Sequence, residues 1–194
     1  MRILEDTVTR SLGLNSGHLL FCPLGVLLCL TLQATAADDP LPLEPSDDTY
    51  LDAELIGKPA GRGKKDELQF SGATDEKANR ILLKFDLKAA PAGFRSALLR
   101  LSCWNAQSTK EGSSYVRCHA LTRAWSEETA SWDVPWTHPG GDWDPAPAGG
   151  CRISGPLAGA KLREYEFEIT ALTRKWQAQP GQNYGVVLLL EKGC

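Results

Sequence analysis

Short segments in which apolar and polar residues alternate are spread along the chain, and clusters of glycine, proline, serine and aspartate separate them. An alternation of period two is typical of half-buried β-strands. The predicted strands are residues 49–56, 67–70, 79–87, 97–104, 114–121, 164–169 and 184–191. One helix is predicted over residues 170–177, because Leu172 and Trp176 lie on one helical face. The pattern predicts an all-β fold: an antiparallel β-sandwich with one short helix.

The one long apolar run, residues 19–32, lies near the start of the chain. Its 14 residues are fewer than the ~20 that a membrane-spanning helix needs. Arg2 and Arg10 precede the run, and the small residues Ala34 and Ala36 follow it. These features predict a secretory signal peptide. The alternative is an uncleaved membrane anchor, which the length of the run disfavours.

The signal peptide divides the chain into three predicted parts. These are a signal peptide over residues 1–36, a proline-rich acidic linker over residues 37–46, and one domain over residues 47–194. The net charge of -3 excludes a global attraction to nucleic acid or to an anionic membrane. We therefore expect a secreted or cell-surface monomer that does not bind nucleic acid and is not held in a membrane after signal cleavage.

Four cysteines remain after the signal peptide is removed, and they are Cys103, Cys118, Cys151 and Cys194. Four cysteines in an exported chain allow three disulfide pairings. Cys103 and Cys118 fall on the inward face of consecutive predicted strands, which favours a bridge between them and leaves Cys151 to pair with Cys194. The alternative is that some of the thiols stay reduced, since cysteine packs well in an apolar core.

Cations and aromatic residues occupy the outward positions of three predicted strands. They are Arg80, Lys84, Arg100, Trp104, Tyr115, Arg117 and His119. If these strands belong to one sheet, the side chains form a basic surface with aromatic rings at its margin. Arginine binds carboxylates through paired hydrogen bonds, so the surface is a candidate site for an anionic glycan. The alternative is a solvated outer face whose cations pair with glutamates of a neighbouring strand.

Tryptophans are concentrated between residues 125 and 150, a segment predicted to be a loop. Trp125 and Trp132 are interpreted as core or lid residues. Trp136 and Trp143 lie among prolines and glycines and are candidate exposed platforms for a ligand.

Acidic residues in the N-terminal loops are candidate ligands for a structural calcium ion. Asp48, Asp52 and Asp75 supply the carboxylate oxygens that Ca²⁺ prefers. The alternative is that these are solvated turn residues. No other cofactor is expected.

The chain carries no motif of a hydrolytic or nucleotide-using enzyme. It lacks G-x-S-x-G, H-E-x-x-H and a P-loop. Glu127 and Glu128 are adjacent in sequence and do not supply two carboxylates that face each other across a cleft, as a glycosidase requires. We therefore expect a protein that is not an enzyme.

Four ordered segments are similar to the segments of a known family. Asp48–Leu51 (DTYL) resembles its opening D-x-Y-V, and Asn79–Leu101 (NRILLKFDLKAAPAGFRSALLRL) resembles its R-x-L-L-x-F-D-L core. Val116–Pro135 (VRCHALTRAWSEETASWDVP) and Phe167–Leu189 (FEITALTRKWQAQPGQNYGVVLL) resemble its later W…W and N-Y-G segments. By these residues the chain resembles the DNRLRE domain, which is also classed as carbohydrate-binding module family 96.

The resemblance implies a sandwich of the jelly-roll type that is found in secreted and cell-surface proteins. It also implies non-catalytic binding of carbohydrate, and some members bind acidic polysaccharides. We therefore expect a secreted carbohydrate-binding module for an acidic polysaccharide such as alginate. The alternative is a structural or adhesive module of a cell surface or matrix that has no soluble glycan ligand.

Overall fold

The computed structural model describes residues 26–33, 40–56, 58, 68, 71, 78–103, 113–154 and 163–191. The strands in these residues are β1 Val26–Gln33, β2 Leu41–Leu43, β3 Pro45–Asp52, β4 Asn79–Phe85, β5 Ser96–Cys103, β6 Ser113–Leu121, β7 Trp143–Ser154, β8 Arg163–Glu168 and β9 Val186–Glu191. Their helix α1 is Thr170–Ala178, and short 3₁₀ turns lie at Ala53–Leu55 and Pro180–Gln182.

The strands form two sheets. A four-stranded sheet has the order β2-β1-β5-β8, and a five-stranded sheet has the order β3-β4-β9-β6-β7. Neighbouring strands pair in the antiparallel sense throughout the described residues. The predicted all-β antiparallel sandwich with one short helix is confirmed.

The main core lies between the two sheets. Ile81, Leu83 and Phe85 of β4 point into it and are buried. They are alternate residues, as the period-two pattern predicted. The other face of β4 is also apolar at Leu82, which is fully buried as well. The five-stranded sheet therefore has apolar side chains on both faces.

A second apolar cluster covers the outer face of the five-stranded sheet. Leu51, Leu82 and Val187 supply the sheet side of this cluster. The segment between β6 and β7, residues 122–142, supplies Trp125, Trp132 and Trp136. We call this segment the tryptophan loop. Trp125 and Trp132 are 8% and 6% exposed, which confirms that they are core residues.

Strand β7 was not predicted, because its sequence carries glycines and prolines up to Gly150. The neighbouring strands require two of these glycines. A Cβ atom on Gly149 would lie 2.6 Å from the carbonyl oxygen of Glu168 on β8, and one on Gly150 would lie 2.6 Å from the ring of Tyr115. The residues that weaken the strand signal therefore allow β7 to lie close to its neighbours.

Strand β1 lies within the segment predicted to be the signal peptide. It pairs with β5 over its whole length, and Leu30 is fully buried opposite Leu99. Strand β2, in the predicted linker, pairs with β1. Cleavage after Ala36 would remove β1, and the signal peptide stays a prediction. In the described residues, no helix has the length and apolar character needed to cross a membrane.

The predicted Cys103–Cys118 bridge is wrong. Both residues are fully buried in the main core, but neither belongs to a disulfide. The prediction assumed that consecutive strands are neighbours in one sheet, whereas β5 and β6 lie in different sheets. Cys151 forms no bridge with a described cysteine. Its predicted partner, Cys194, lies outside the described residues.

The core thiols are expected to be chemically inert in the folded protein. Burial raises the pKa of the Cys118 thiol to about 12, so the reactive thiolate is not formed near neutral pH. Iodoacetamide at pH 8 should leave Cys103 and Cys118 unmodified until urea unfolds the chain, as peptide mapping by mass spectrometry would record. Modification of Cys118 in the native protein, at the rate seen in urea, would contradict the buried position.

Candidate functional site

The predicted basic surface is divided between the two sheets. Arg100 lies on β5 of the four-stranded sheet, whereas Arg80 and Lys84 lie on β4 of the five-stranded sheet. Tyr115, Arg117 and His119 lie on β6, with β9 between them and β4. Trp104 lies outside the described residues. The prediction that these side chains share one external face is therefore wrong, because β5, which lies between β4 and β6 in the chain, belongs to the other sheet.

The exposed cations of the predicted surface have acidic partners. The ion pairs are Arg100 with Glu166 at 2.8 Å, Arg117 with Glu191 at 2.7 Å, and Lys84 with Asp47 at 3.7 Å. Arg117 also stacks on the ring of Tyr115, with 4.8 Å from Cζ to the ring centroid. Such half-exposed pairs add little stability, about 0–1 kcal/mol each. They do compensate the positive charge, so these residues do not form a strongly cationic patch.

An open cleft of about 730 Å³ lies where the tryptophan loop meets the start of β7. This volume lies in the range typical of small-ligand sites. Side chains lining the cleft include Thr122, Arg123, His138, Asp142, Trp143 and Tyr184. The first four follow β6 or lead into β7, Trp143 is the first residue of β7, and Tyr184 precedes β9. The cleft thus lies at one end of the five-stranded sheet, where β6 ends and where β7 and β9 begin.

Trp143 forms an aromatic wall of the cleft and is partly exposed. Beneath it lies the guanidinium group of Arg80, which is 4.8 Å from the centroid of Trp143 and 4.5 Å from that of Trp132. Nη1 of Arg80 donates a hydrogen bond of 2.8 Å to the carbonyl oxygen of Gly140. Arg80 itself is 8% exposed, so it supports the cleft from below.

His119 is a second support of Trp143. Its ring meets the indole edge to face, with 6.4 Å between the centroids. Nδ1 of His119 lies 2.8 Å from the carbonyl oxygen of Asp144. A carbonyl oxygen accepts only, so Nδ1 carries the proton in this contact. His119 is buried and was predicted as a ligand contact, but the structure places it behind the aromatic wall.

Asp142 organises the polar side of the cleft. One carboxylate oxygen accepts from the N–H of Thr137 at 2.8 Å and lies 3.3 Å from Nη1 of Arg123. The other accepts from the N–H of His138 at 3.1 Å. Burial by itself would raise the pKa of Asp142, but these hydrogen bonds together lower it to about 2. Asp142 is therefore ionised at neutral pH, and its oxygens are used within the loop.

Arg123 and Tyr184 are cleft residues that the sequence analysis missed. The side chain of Arg123 is 47% exposed, and its contacts with Thr137 and Asp142 use Nη1, so they leave Nε and Nη2 available to other acceptors. Both residues lie in segments that carry the family resemblance, but a pattern of alternation says nothing about loop positions. Trp143 was predicted as an exposed platform and does line the cleft. Trp136 was also predicted to be an exposed platform, but it is only 7% exposed, so the prediction for Trp136 is wrong.

Taken together, the cleft offers an indole ring, a phenol ring, and the hydrogen-bond donors of a planar guanidinium. This combination suits a sugar, because the C–H face of a pyranose packs on aromatic rings while its hydroxyl and carboxylate groups accept hydrogen bonds. Within the described residues, Asp142 is the one carboxylate that lines the cleft.

The predicted calcium ligands are not gathered in the described part of the chain. Asp48 and Asp52 lie on β3, and the carboxylate of Asp52 accepts the N–H of Glu54 at 2.9 Å as a helix cap. Asp75 lies outside the described residues. No group of three potential ligands occurs among the residues that are described. Calcium binding stays a prediction.

Asp48 has an unusual environment of its own. Partial burial and the nearby carboxylates of Glu127 and Asp47 raise its pKa to about 6. Glu127 lies close because its Oε2 accepts the N–H of Asp48 at 3.2 Å. A folded-state pKa above the ordinary value means that ionisation of Asp48 opposes folding. The contribution of the protonated Asp48 carboxyl group to the stability of the fold is complete below about pH 4. It is lost as the pH rises through 6, because the group then ionises in the folded protein.

Replacing this carboxylate should stabilise the protein at neutral pH. We expect Asp48→Asn to raise the free energy of unfolding by about 1 kcal/mol at pH 8, after allowance for partial exposure, and to change it little at pH 4. Urea unfolding at the two pH values measures this. Glu127→Gln should act in the same direction, since it removes one of the neighbouring charges. A loss of stability at pH 8 in both variants would contradict the assigned repulsion.

The comparison with known families covers nearly the whole of this fold. A model of carbohydrate-binding module family 96 matches residues 40–193, a range that contains β2 to β9 and every cleft residue named above but not β1. No curated protein matches the sequence. The matched range is well over half of the 194 residues, so the chain belongs to carbohydrate-binding module family 96.

Proposed function

We propose that this protein is exported and binds a polysaccharide, without cleaving it, in the cleft formed by Arg123, Trp143 and Tyr184. The observation that carries the proposal is that an indole ring and a half-exposed guanidinium line the same cleft. Membership of a carbohydrate-binding family supports the ligand class.

The ligand that this pair of groups favours is an acidic polysaccharide such as alginate. A sugar ring would stack on Trp143, and its carboxylate would accept hydrogen bonds from Nε and Nη2 of Arg123, which the contacts with Thr137 and Asp142 do not use. Asp142 offsets the charge of Arg123, because the two lie 3.3 Å apart. The attraction to an anionic chain is therefore of short range and depends on geometry more than on net charge.

The carboxylate in the cleft is poorly suited to catalysis. A general acid at neutral pH needs a raised pKa, whereas the pKa of Asp142 is lowered to about 2. Retaining and inverting glycosidases use two carboxyl groups on opposite sides of the scissile bond, and Asp142 has no second carboxylate facing it among the described lining residues. These properties support a binding role.

Loss of the aromatic wall should abolish most of the binding. We expect Trp143→Ala to weaken retention in alginate-containing native gels by about tenfold or more, as is common for a central tryptophan. Arg100→Ala is the matched control, because Arg100 lies on the other sheet and should leave the mobility shift unchanged. Equal retention of Trp143→Ala and the wild type would place the site elsewhere. An absence of retardation in alginate, pectin, chitin and neutral glucan gels would favour the structural or adhesive alternative.

The charge of the ligand is tested at Arg123. Arg123→Met should reduce binding to alginate by about tenfold, because a carboxylate loses its charge-assisted hydrogen bonds. Retention by a neutral β-glucan should change by less than about threefold, since hydrogen bonds between neutral partners are weaker. Thermal unfolding of the variant checks that the tryptophan loop is intact. If Arg123→Met lost more binding to the neutral glucan than to alginate, the assignment of an acidic ligand would be overturned.

Export is tested at the N-terminus. We expect the protein from the culture medium of a secreting host to begin at Ala37, which intact mass spectrometry would show. The physical consequence is the loss of β1 and of the buried Leu30 from the sheet. An exported protein that keeps residues 26–33 would contradict cleavage after Ala36 and would make β1 a permanent strand.

A further inference from the structure

Arg80 is a charged residue enclosed by aromatic rings. Its side chain arises from β4, on the outer face of the five-stranded sheet, and only 8% of the residue is exposed. The guanidinium lies 4.5 Å from the centroid of Trp132 and 4.8 Å from that of Trp143. A planar cation between two indoles gains cation–π attraction from both rings.

The contact with Gly140 fixes the guanidinium in this place. Nη1 donates to the carbonyl oxygen of Gly140 at 2.8 Å. Gly140 has a φ of +91°, and a Cβ atom there would come within 1.9 Å of Nη1 and 3.0 Å of the Trp132 ring. The loop backbone therefore lies directly against Arg80, which leaves the guanidinium little room to move.

The tryptophan loop does not depend on Arg80 alone. Trp125, Trp132 and Trp136 are each buried against apolar residues of the sheet, and Trp125 donates from Nε1 to the carbonyl oxygen of Tyr184 at 2.8 Å. Trp143 packs against the same apolar cluster but is partly exposed, and its ring also contacts the guanidinium of Arg80 and the ring of His119. Removing Arg80 should therefore release Trp143, at the start of β7, more than the buried tryptophans of the loop.

We propose that Arg80 is the positioning residue of the cleft: its guanidinium holds the indole of Trp143 in the orientation that receives a sugar, without touching the ligand itself. This inference rests on the proposed function for its effect on binding. Its effect on Trp143 is independent of any ligand. It assigns the residue a role different from the carboxylate contact that the sequence suggested.

The experiment compares Arg80→Met with Arg117→Met. The second variant is a matched control, because Arg117 also lies on the five-stranded sheet, stacks on an aromatic ring and forms an ion pair, yet does not line the cleft. Acrylamide quenching of tryptophan fluorescence reports the exposure of Trp143, with Trp143→Phe as the background. Native gels containing alginate report affinity. Both are measured at a temperature where thermal unfolding shows every variant to be folded.

Arg80→Met should increase acrylamide quenching, and this increase should vanish in the double variant with Trp143→Phe. Its affinity for alginate should fall by about tenfold, close to the effect of Trp143→Ala. Arg117→Met should change neither measurement. Arg80→Lys should resemble Arg80→Met, because lysine keeps the charge but not the planar group that stacks on both rings. If Arg80→Met does not fold, Arg80→Lys carries the same test.

Two results would overturn the proposal. One is a folded Arg80 variant with unchanged quenching and unchanged affinity, since the arginine would then serve only the stability of the loop. The other is an increase in quenching that persists when Trp143 is phenylalanine, because a different tryptophan would then have moved. If the wild type binds no polysaccharide, the proposed function fails, and the quenching measurement alone decides whether Arg80 positions Trp143.

Discussion

The structure depends on the fact that the five-stranded sheet is apolar on both faces. Ile81 and Leu83 point into the core between the sheets, whereas Leu82 points outward with Leu51 and Val187. Apolar side chains on an outer face must be removed from water, and the tryptophan loop does this with three buried indoles. The two ends of the loop lie side by side because β6 and β7 are antiparallel neighbours, with Leu121 opposite Trp143, and the cleft forms there.

The environment of each charged residue on this sheet depends on whether the tryptophan loop covers it. Arg80 lies under the loop, so its charge is held between two rings and a backbone carbonyl. Arg117 instead forms an ion pair with Glu191 and stacks on the ring of Tyr115. Two arginines with the same pattern in the sequence therefore have different environments. Neither lines the cleft, whereas Arg123 does so from a loop position.

In this cleft, the ion pair of Asp142 and Arg123 supplies the charged groups, and the neighbouring Trp143 supplies the apolar surface. Asp142 is saturated by donors from its own loop, which keeps it ionised and holds Arg123 in place. Trp143 supplies an aromatic surface and is supported from below by the buried side chains of Arg80 and His119. A preorganised site of this kind loses little entropy when a ligand binds. The arrangement is thus consistent with recognition in place of chemical conversion.

The sequence by itself determined the strand faces, the single helix and the family. Ile81, Leu83 and Phe85 point inward as their spacing required, because side chains alternate along any strand. It did not reveal β7, since Gly149 and Gly150 weaken the strand pattern, and both are needed because β8 and the ring of Tyr115 come too close for a side chain. Only the tertiary structure decided which strands share a sheet. The sheet arrangement put Cys103 and Cys118 on different sheets, and likewise Arg100 and Arg80. It also brought Arg123, Trp143 and Tyr184 together in one cleft. Contacts between distant segments depend on how the sheets pack and not on local alternation.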